Sequence, residues 1–265
     1  MSKKLILLAG PTASGKSRLA VSLAKKFDGE IINADSMQIY KEFSILSSRP
    51  SFSEMKKVRH HLYGIISVKR YFSSGDWFKK AKKQIYLCLK RKKTPIIVGG
   101  TGLYFNTITK GISKIPDIDI KTRNKVRNLH KKLGFKKFYN LLVKLDPKIK
   151  GRIVPTDSQR VQRAYEVKLK TNKSLFDWFD NTKSDFLNFE IKKIFIDVPR
   201  EQLLKKISTR TELMVKKKCF DEVKKFNKLK IKKSLSANKL IGVAEINDFL
   251  SGSISLEQCK DLINI

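Results

Sequence analysis

Residues 5–27 read LILLAGPTASGKSRLAVSLAKKF. The five apolar residues at the start have the length and character of a strand buried on both faces. The run breaks at Gly10-Pro11, and from Ser17 the apolar residues recur at helical spacing, so residues 17–26 are predicted as a helix. Between the two lies Gly10-Pro11-Thr12-Ala13-Ser14-Gly15-Lys16-Ser17, which fits G-x-x-x-x-G-K-[ST]. In that setting the loop's backbone N–H groups and the positive end of the helix cradle a di- or triphosphate. Lys16 neutralises it, and the Ser17 hydroxyl is placed to join a Mg²⁺ shell. The loop does not say what the phosphate is attached to.

Outside this stretch the chain has the composition of a globular protein: 265 residues with 41% hydrophobic content, enough for one large domain or a domain carrying an insert. Lys and Arg outnumber Asp and Glu by 58 to 24, a formal charge of +34. Such an excess favours a polyanionic partner, nucleic acid above all, although most of it is lysine scattered in KK and KKK runs that composition alone produces. The three cysteines, Cys88, Cys219 and Cys259, are far apart with no C-x-x-C, so neither a disulfide framework nor a zinc site is expected and a reducing cytosol fits. No apolar run reaches membrane-spanning length, and the expected location is cytoplasmic.

Further strands are predicted at residues 30–34 (EIINA), 95–98 (PIIV) and 193–198 (KIFIDV), separated by stretches long enough for crossover helices. Together with the phosphate loop this predicts an α/β fold, a P-loop NTPase-like doubly wound parallel sheet. Between residues 115 and 189 the pattern changes to amphipathic helices at 122–133, 135–144 and 158–170 with no good strand, a helical insert. The domains expected are therefore 1–114 with 190–265 as the catalytic core, and 115–189 as the insert. A long helix is predicted at 202–216, followed by two or three more helical stretches to the end. Trp77, Phe78, Trp178 and Phe179 sit in helical patterns and are expected in cores; His130 is expected exposed; the pair His60-His61 is expected to pack or line a wall, with no metal.

Ligands of open α/β sheets lie beyond the carboxyl ends of the strands. After the second strand comes Asp35-Ser36-Met37-Gln38, and after the third Gly99-Gly100-Thr101. The third strand ends without the Asp that many ATPases use for Mg²⁺, so Asp35 is left as either a metal ligand or a general base facing the phosphates.

Taken in order, GPTASGKS, ADSMQIYKEFSI, His60-His61-Leu62, VGGTGLYF, RIVPTDSQR ending at Arg160, and Arg163-Ala164-Tyr165-Glu166 resemble the tRNA dimethylallyltransferase family, also called tRNA isopentenyl transferases. The resemblance implies a prenyltransferase whose loop holds dimethylallyl diphosphate, although the motif alone would name ATP. The prenyl group would pass to the exocyclic amine of the adenosine 3′ to the anticodon. It assigns Asp35 to take or steer the amine proton, Thr101 to bridge base and diphosphate, and Arg210 to bind the diphosphate beside residues Gly10 to Ser17, with Mg²⁺ as cofactor. It places Asp35, Ser36, Met37, Gln38, Thr101, Arg123, Gln159, Arg160, Val161, Gln162 and Arg163 against the tRNA anticodon arm. A monomer is expected. The base to be alkylated must be flipped out of its stack, and insert arginines on phosphates would offset that cost.

Three departures accompany the resemblance. Leu46-Ser47-Ser48-Arg49-Pro50 stands where the family has Gly-Thr-Ala-Lys-Pro, Gly242-Val243-Ala244-Glu245 where it has Gly-Tyr-Lys/Arg-Glu, and the sequence stops at Ile265, before a basic helix usual in the family. A small-molecule kinase would share the phosphate loop and the stretch KIFIDVPREQLLKKISTR with its arginine. A catalytically silent RNA-binding homologue would share the charge and the short C-terminus, but would have no use for Asp35 and Thr101.

Overall fold

The computed structural model describes residues 3–264. In chain order the elements up to the insert are β1 (Lys3–Ala9), α1 (Lys16–Lys26), β2 (Gly29–Asn33), α2 (Phe52–Met55), β3 (His60–His61), α3 (Ser74–Lys90), β4 (Thr94–Gly99) and α4 (Gly102–Thr109). They are followed by α5 (Ile120–Leu145), α6 (Ser158–Thr171), α7 (Leu175–Asp180), β5 (Phe189–Phe195), α8 (Arg200–Lys216), α9 (Cys219–Lys228), α10 (Val243–Leu250) and α11 (Leu256–Asn264). By compactness the chain divides into two units: Ile108–Leu187, and the residues on either side of it. The edges at 108 and 187 differ from the 115 and 189 read from composition, because Ser184 Oγ donates to the Ile108 carbonyl and ties that residue into the helical unit.

The larger unit is built on a five-stranded parallel sheet of order β3-β2-β4-β1-β5. Leu5, Ile6, Leu7 and Leu8 of β1 are all buried, as a strand covered on both faces requires. On one face Ala20 and Ala24 of α1 pack against Ile6, Leu8, Ile31, Ile96 and Val98. The helix α3 buries Trp77, Ala81, Ile85 and Cys88 at successive turns, and its start is fixed by a capping box between Ser73 and Asp76. A third cluster joins the loop bearing Ile39, Tyr40, Phe43 and Leu46 to Met214, Val223, Phe226, Val243 and Ile246 of the C-terminal helices. There Leu46, from the first departure, meets the glycine that opens the second stretch: Gly242 has φ of 98°, and a Cβ on it would lie 2.5 Å from the Leu46 side chain. Leu46 thus fills the space above a glycine that must stay bare.

One strand expectation is corrected and one strand was not foreseen. The last strand is Phe189–Phe195 and not 193–198, because its pairing runs with β1 from Lys3↔Phe189 to Ala9↔Phe195, and β1 itself ends at Ala9. The two-residue strand His60–His61, paired with Ile31 and Ile32, is too short to leave a periodic signal.

His61 also has neighbours that its sequence position does not suggest. Its Nε2 lies 2.6 Å from Glu30 Oε2, and Arg91 donates to both Glu30 oxygens at 3.0 and 2.6 Å while Cys88 Sγ lies 3.4 Å away. Glu30, His61 and Cys88 have ligand atoms within 4.8 Å of one another. However, the guanidinium already occupies the carboxylate, and the thiol is pushed up to about 12, by burial and by the Glu30 charge. Glu30 is thus charge-paired to Arg91, and its hydrogen bonds to His61 and Cys88 complete a buried polar cluster. Burial alone would raise the Glu30 carboxyl, but hydrogen bonds from Arg91, His61 and Cys88 outweigh it and hold the pKa at about 2, against 4.5 ordinarily. A depressed carboxyl stabilises the fold above its unfolded value and loses that contribution as pH falls toward the folded one. Glu30→Gln should therefore be less stable than the parent by about 2–3 kcal/mol at neutral pH. The difference should close between pH 4.5 and about 2. Urea unfolding at a series of pH values checks this, and a pH-independent difference would refute it.

The helical unit has its own core, with Val126, Phe138, Leu142, Val161, Ala164 and Val167 buried, and among its described residues there is no strand. Its first helix starts at the Asp119 cap, whose carboxylate accepts from the Thr122 N–H at 2.8 Å, and breaks at Gly134, where φ is 70°. This reproduces the two helical stretches read on either side of that glycine. Phe179 is exposed at the end of α7 and not in the core, whereas Trp178 is half-buried against it. His130 is half-buried and not exposed, with Phe135 and Phe138 edge-on at 5.4 and 4.9 Å, because the break at Gly134 folds the following turn back toward it.

Candidate functional site

The carboxyl ends of β1, β2 and β4 bring the phosphate loop, the 35–38 loop and the 99–101 turn together. Gly10 lies under the loop with no room for a side chain: a Cβ would meet the Ile196 carbonyl at 3.0 Å and Ser14 Oγ at 3.1 Å. Ala13 and Gly15 take positive φ (59° and 87°), the alternation of backbone conformation from which anion nests are built. Lys16 opens α1 and its Nζ donates to the Pro11 carbonyl at 2.5 Å, folding the ammonium back over the loop. Thr12 and Ser17 are exposed, the latter in the first turn of α1 with its hydroxyl available to a hard cation.

Three charges share this cleft. Burial lowers the Lys16 pKa, Asp35 opposes that and Arg210 adds to it. Arg210, half-buried on α8, is likewise lowered by burial and supported by Asp35. The pattern, two cations to one carboxylate in a partly desolvated site beside the Gly-rich loop, is one that an anion completes. Ser14 Oγ of the loop and Arg210 Nε are buried and have no hydrogen-bond partner among the described residues. Buried groups of this kind rarely stay unsatisfied when a protein's ligand is bound.

Asp35 and Thr101 are held rigidly. Asp35 Oδ1 accepts from the N–H groups of Met37 and Gln38 at 2.8 and 3.4 Å, which orients the carboxylate. Thr101 Oγ1 accepts from the Ser36 N–H at 3.0 Å and donates toward Ser36 Oγ at 3.3 Å, so the two predicted catalytic loops are fastened to each other. The Thr101 N–H donates to the Ala34 carbonyl at 3.2 Å, and the Ala34 N–H to Val98 at 2.7 Å. Beneath them Tyr104 stacks on Trp77 with centroids 4.2 Å apart and planes 6° off parallel. The phenols of Tyr63 and Tyr104 are pushed up by burial, and Asp35 adds to the effect in each.

The remaining residues expected at the site divide by what their side chains are doing. Met37 is partly buried against the C-terminal helix cluster. Gln38 spends both amide hydrogens on the Ser47 and Ser48 carbonyls, at 3.0 and 3.1 Å, so it braces the neighbouring turn. In the helical unit, Arg160 is 76% exposed and pairs with Asp157 at 3.3 Å, and Arg163 is 38% exposed and pairs with Glu166 at 3.5 Å. Gln159 is exposed, Gln162 half-buried, and Arg123 half-buried with its Nε unpaired among the described residues. Val161 is a correction: its side chain is fully buried in the core of the helical unit and cannot present a surface to RNA. It sits one position from Gln162 on a helix, which is why a contiguous motif swept it in.

Two residues escaped the sequence reading. Glu222 of α9 accepts from the N–H groups of Ser44, Ile45 and Leu46 and from the Ser44 hydroxyl, all at 2.8–2.9 Å, and so pins the turn that precedes Arg49. Asn33 at the end of β2 is fully buried. A polar residue directly after the apolar pair Ile31-Ile32 was the sign of it.

A parallel sheet of this order, with a Gly-rich loop between β1 and α1, gives an α/β fold of the P-loop NTPase-like kind. A family model described as IPP transferase matches residues 38–265. The tRNA dimethylallyltransferase of Pelagibacter ubique (strain HTCC1062) is 52% identical over 262 residues, which cover 99% of this chain and 84% of that one. A solved tRNA isopentenylpyrophosphate transferase from Bacillus halodurans is 31% identical with a TM-score of 0.68, over 99% of this chain and 82% of that one. A eukaryotic dimethylallyltransferase described as acting on tRNA is 29% identical with a TM-score of 0.86, over 99% of this chain and 66% of that one. The chain belongs to the IPP transferase family, that of the tRNA dimethylallyltransferases. Among its described residues no helix is long and apolar enough to cross a membrane.

Proposed function

We propose that this protein transfers a dimethylallyl group from dimethylallyl diphosphate to the exocyclic amine of the adenosine 3′ to a tRNA anticodon. The observation that carries the reading within the family is the cleft in which Lys16 and Arg210 flank Asp35, with Ser14 Oγ and Arg210 Nε buried and unpaired. The allylic C–O bond to the diphosphate breaks, a C–N bond to the adenine amine forms, and the amine proton passes to the Asp35 carboxylate. The leaving diphosphate is held by the loop amides, Lys16 and Arg210, so charge is neutralised where it develops. Thr101, bonded to Ser36, stands between the two reactants. The exposed Ser17 hydroxyl is the oxygen this chain offers to Mg²⁺, and the ion, when bound with the diphosphate, supplies further positive charge to it.

Transfer of radiolabel from dimethylallyl diphosphate to total tRNA tests the reaction. ATP turnover without tRNA, and no label in RNA, would support the kinase alternative instead.

The anticodon arm is assigned to the helical unit, through Arg123, Gln159, Arg160, Gln162 and Arg163. Arg160 and Arg163 already hold carboxylates, and a phosphate must replace these weak partners. Arg160→Ala with Arg163→Ala should weaken tRNA binding and reduce the slope of log affinity against log salt by about 1.5–2, one counterion fewer for each lost phosphate. An unchanged slope would remove these two residues from the RNA surface.

A further inference from the structure

We infer that Asn33 is a positioning residue for the transfer reaction, acting through Asp35; this rests on the role proposed for Asp35. Its side chain closes a bracket around the backbone of that residue. Asn33 Oδ1 accepts from the Asp35 N–H at 2.9 Å, and Nδ2 donates to the Asp35 carbonyl at 3.0 Å. Nδ2 also donates to the Leu62 carbonyl at 3.1 Å, which ties the bracket to the chain beyond β3. Asn33's own carbonyl accepts from Trp77 Nε1 at 2.8 Å, so the residue is anchored from the layer below.

Only an asparagine does all of this here. Both amide hydrogens and the amide oxygen are used; aspartate has no hydrogens to donate, serine has one group in place of two, and glutamine is a methylene too long for a buried site. Leu62 supports the reading independently. It takes φ of 65°, a left-handed conformation unfavourable for leucine, and it is in that conformation that its carbonyl meets Asn33. With its backbone bracketed by Asn33 and its Oδ1 held by the Met37 and Gln38 N–H groups, the Asp35 carboxylate is left little freedom to move. Small displacements of a reacting group are costly in rate, about 10²-fold for 1 Å.

A double-mutant cycle of Asn33→Ala and Asp35→Asn tests this by single-turnover prenyl transfer. Asn33→Ala should lower kcat by at least about 30-fold, with KM for dimethylallyl diphosphate and for tRNA within about threefold of the parent. In the Asp35→Asn background the same change should cost less than about threefold, because the group it positions is already disabled. Asn33→Ser, which retains one hydroxyl, should fall between, and serves if the alanine variant does not fold. Equal losses in the two backgrounds, or a loss expressed in both KM values with kcat intact, would make Asn33 a fold residue only and overturn the inference. A parental rate in Asp35→Asn alone would instead overturn the assignment of Asp35, and this inference with it.

Discussion

Asp35→Asn is expected to slow prenyl transfer by roughly 10²–10⁴-fold, the range for losing a general base, while leaving the fold and the affinity for dimethylallyl diphosphate close to the parent's. Asparagine retains an oxygen in the place of Oδ1, so the hydrogen bonds from the Met37 and Gln38 N–H groups survive and the loop keeps its shape. What is lost is the negative charge between Lys16 and Arg210 and the acceptor for the amine proton. Removing that charge leaves both cations free to bind diphosphate, so donor affinity should hold or rise. Lys16→Ala should do the reverse: donor affinity falls by roughly tenfold to a hundredfold, as for one charged hydrogen-bonding partner. Single-turnover transfer with calorimetry for the donor separates the two effects. Transfer at the parental rate in Asp35→Asn would assign Asp35 to the loop's structure and send the search for the base elsewhere.

The second large effect is steric. Gly99 closes β4 at the point where the chain passes Ala34, and a Cβ there would lie 2.1 Å from the Ala34 carbonyl oxygen and 2.2 Å from its carbon. Both are backbone atoms. They are held by the Ala34 N–H on Val98 and by the Thr101 N–H on that same carbonyl, so neither strand can yield without moving Asp35 or Thr101. Gly99→Ala should therefore destabilise the protein by about 3 kcal/mol or more. The expected drop in Tm is roughly 6–12 °C for a protein of this size, accompanied by a large loss of transfer. Gly100→Ala is the matched control, since its Cβ would find only the Gly10 carbonyl, at 3.8 Å. Its Tm should stay within about 2 °C of the parent. Similar melting of the two variants would show that the strand ends are not packed as described.

Much of this was written in the linear order of residues. The phosphate loop is contiguous, because its work is done by backbone amides and one lysine between a strand and its helix; that made Gly10 to Ser17 readable without a fold. The apolar runs of β1, β2 and β4 were equally plain, since strands buried on both faces are mostly apolar; in their buried stretches only Glu30 and Asn33 of β2 interrupt the pattern. So were the helices of the insert, down to the break at Gly134.

The rest depended on residues far apart in the chain. Arg210, which the family resemblance had already named, comes from a helix near the C-terminal end, and the field it shares with Lys16 and Asp35 exists only in the folded chain. Glu222 reaches the 44–46 turn across 178 positions of sequence. Glu30 meets His61, Cys88 and Arg91 because β2, β3 and α3 are adjacent in space. No periodicity encodes such meetings: a hydrogen bond between distant segments has no spacing, and its energy exists only once the sheet order has brought the partners together. Burial is decided at the same stage, which is why Val161 and Gln162, neighbours in one motif, face a core and a surface. The sequence by itself determined a phosphate loop, a parallel α/β core and a helical insert. Tertiary structure decided which groups meet: Asn33 with the Asp35 backbone, Glu222 with the 44–46 turn and Arg91 with Glu30.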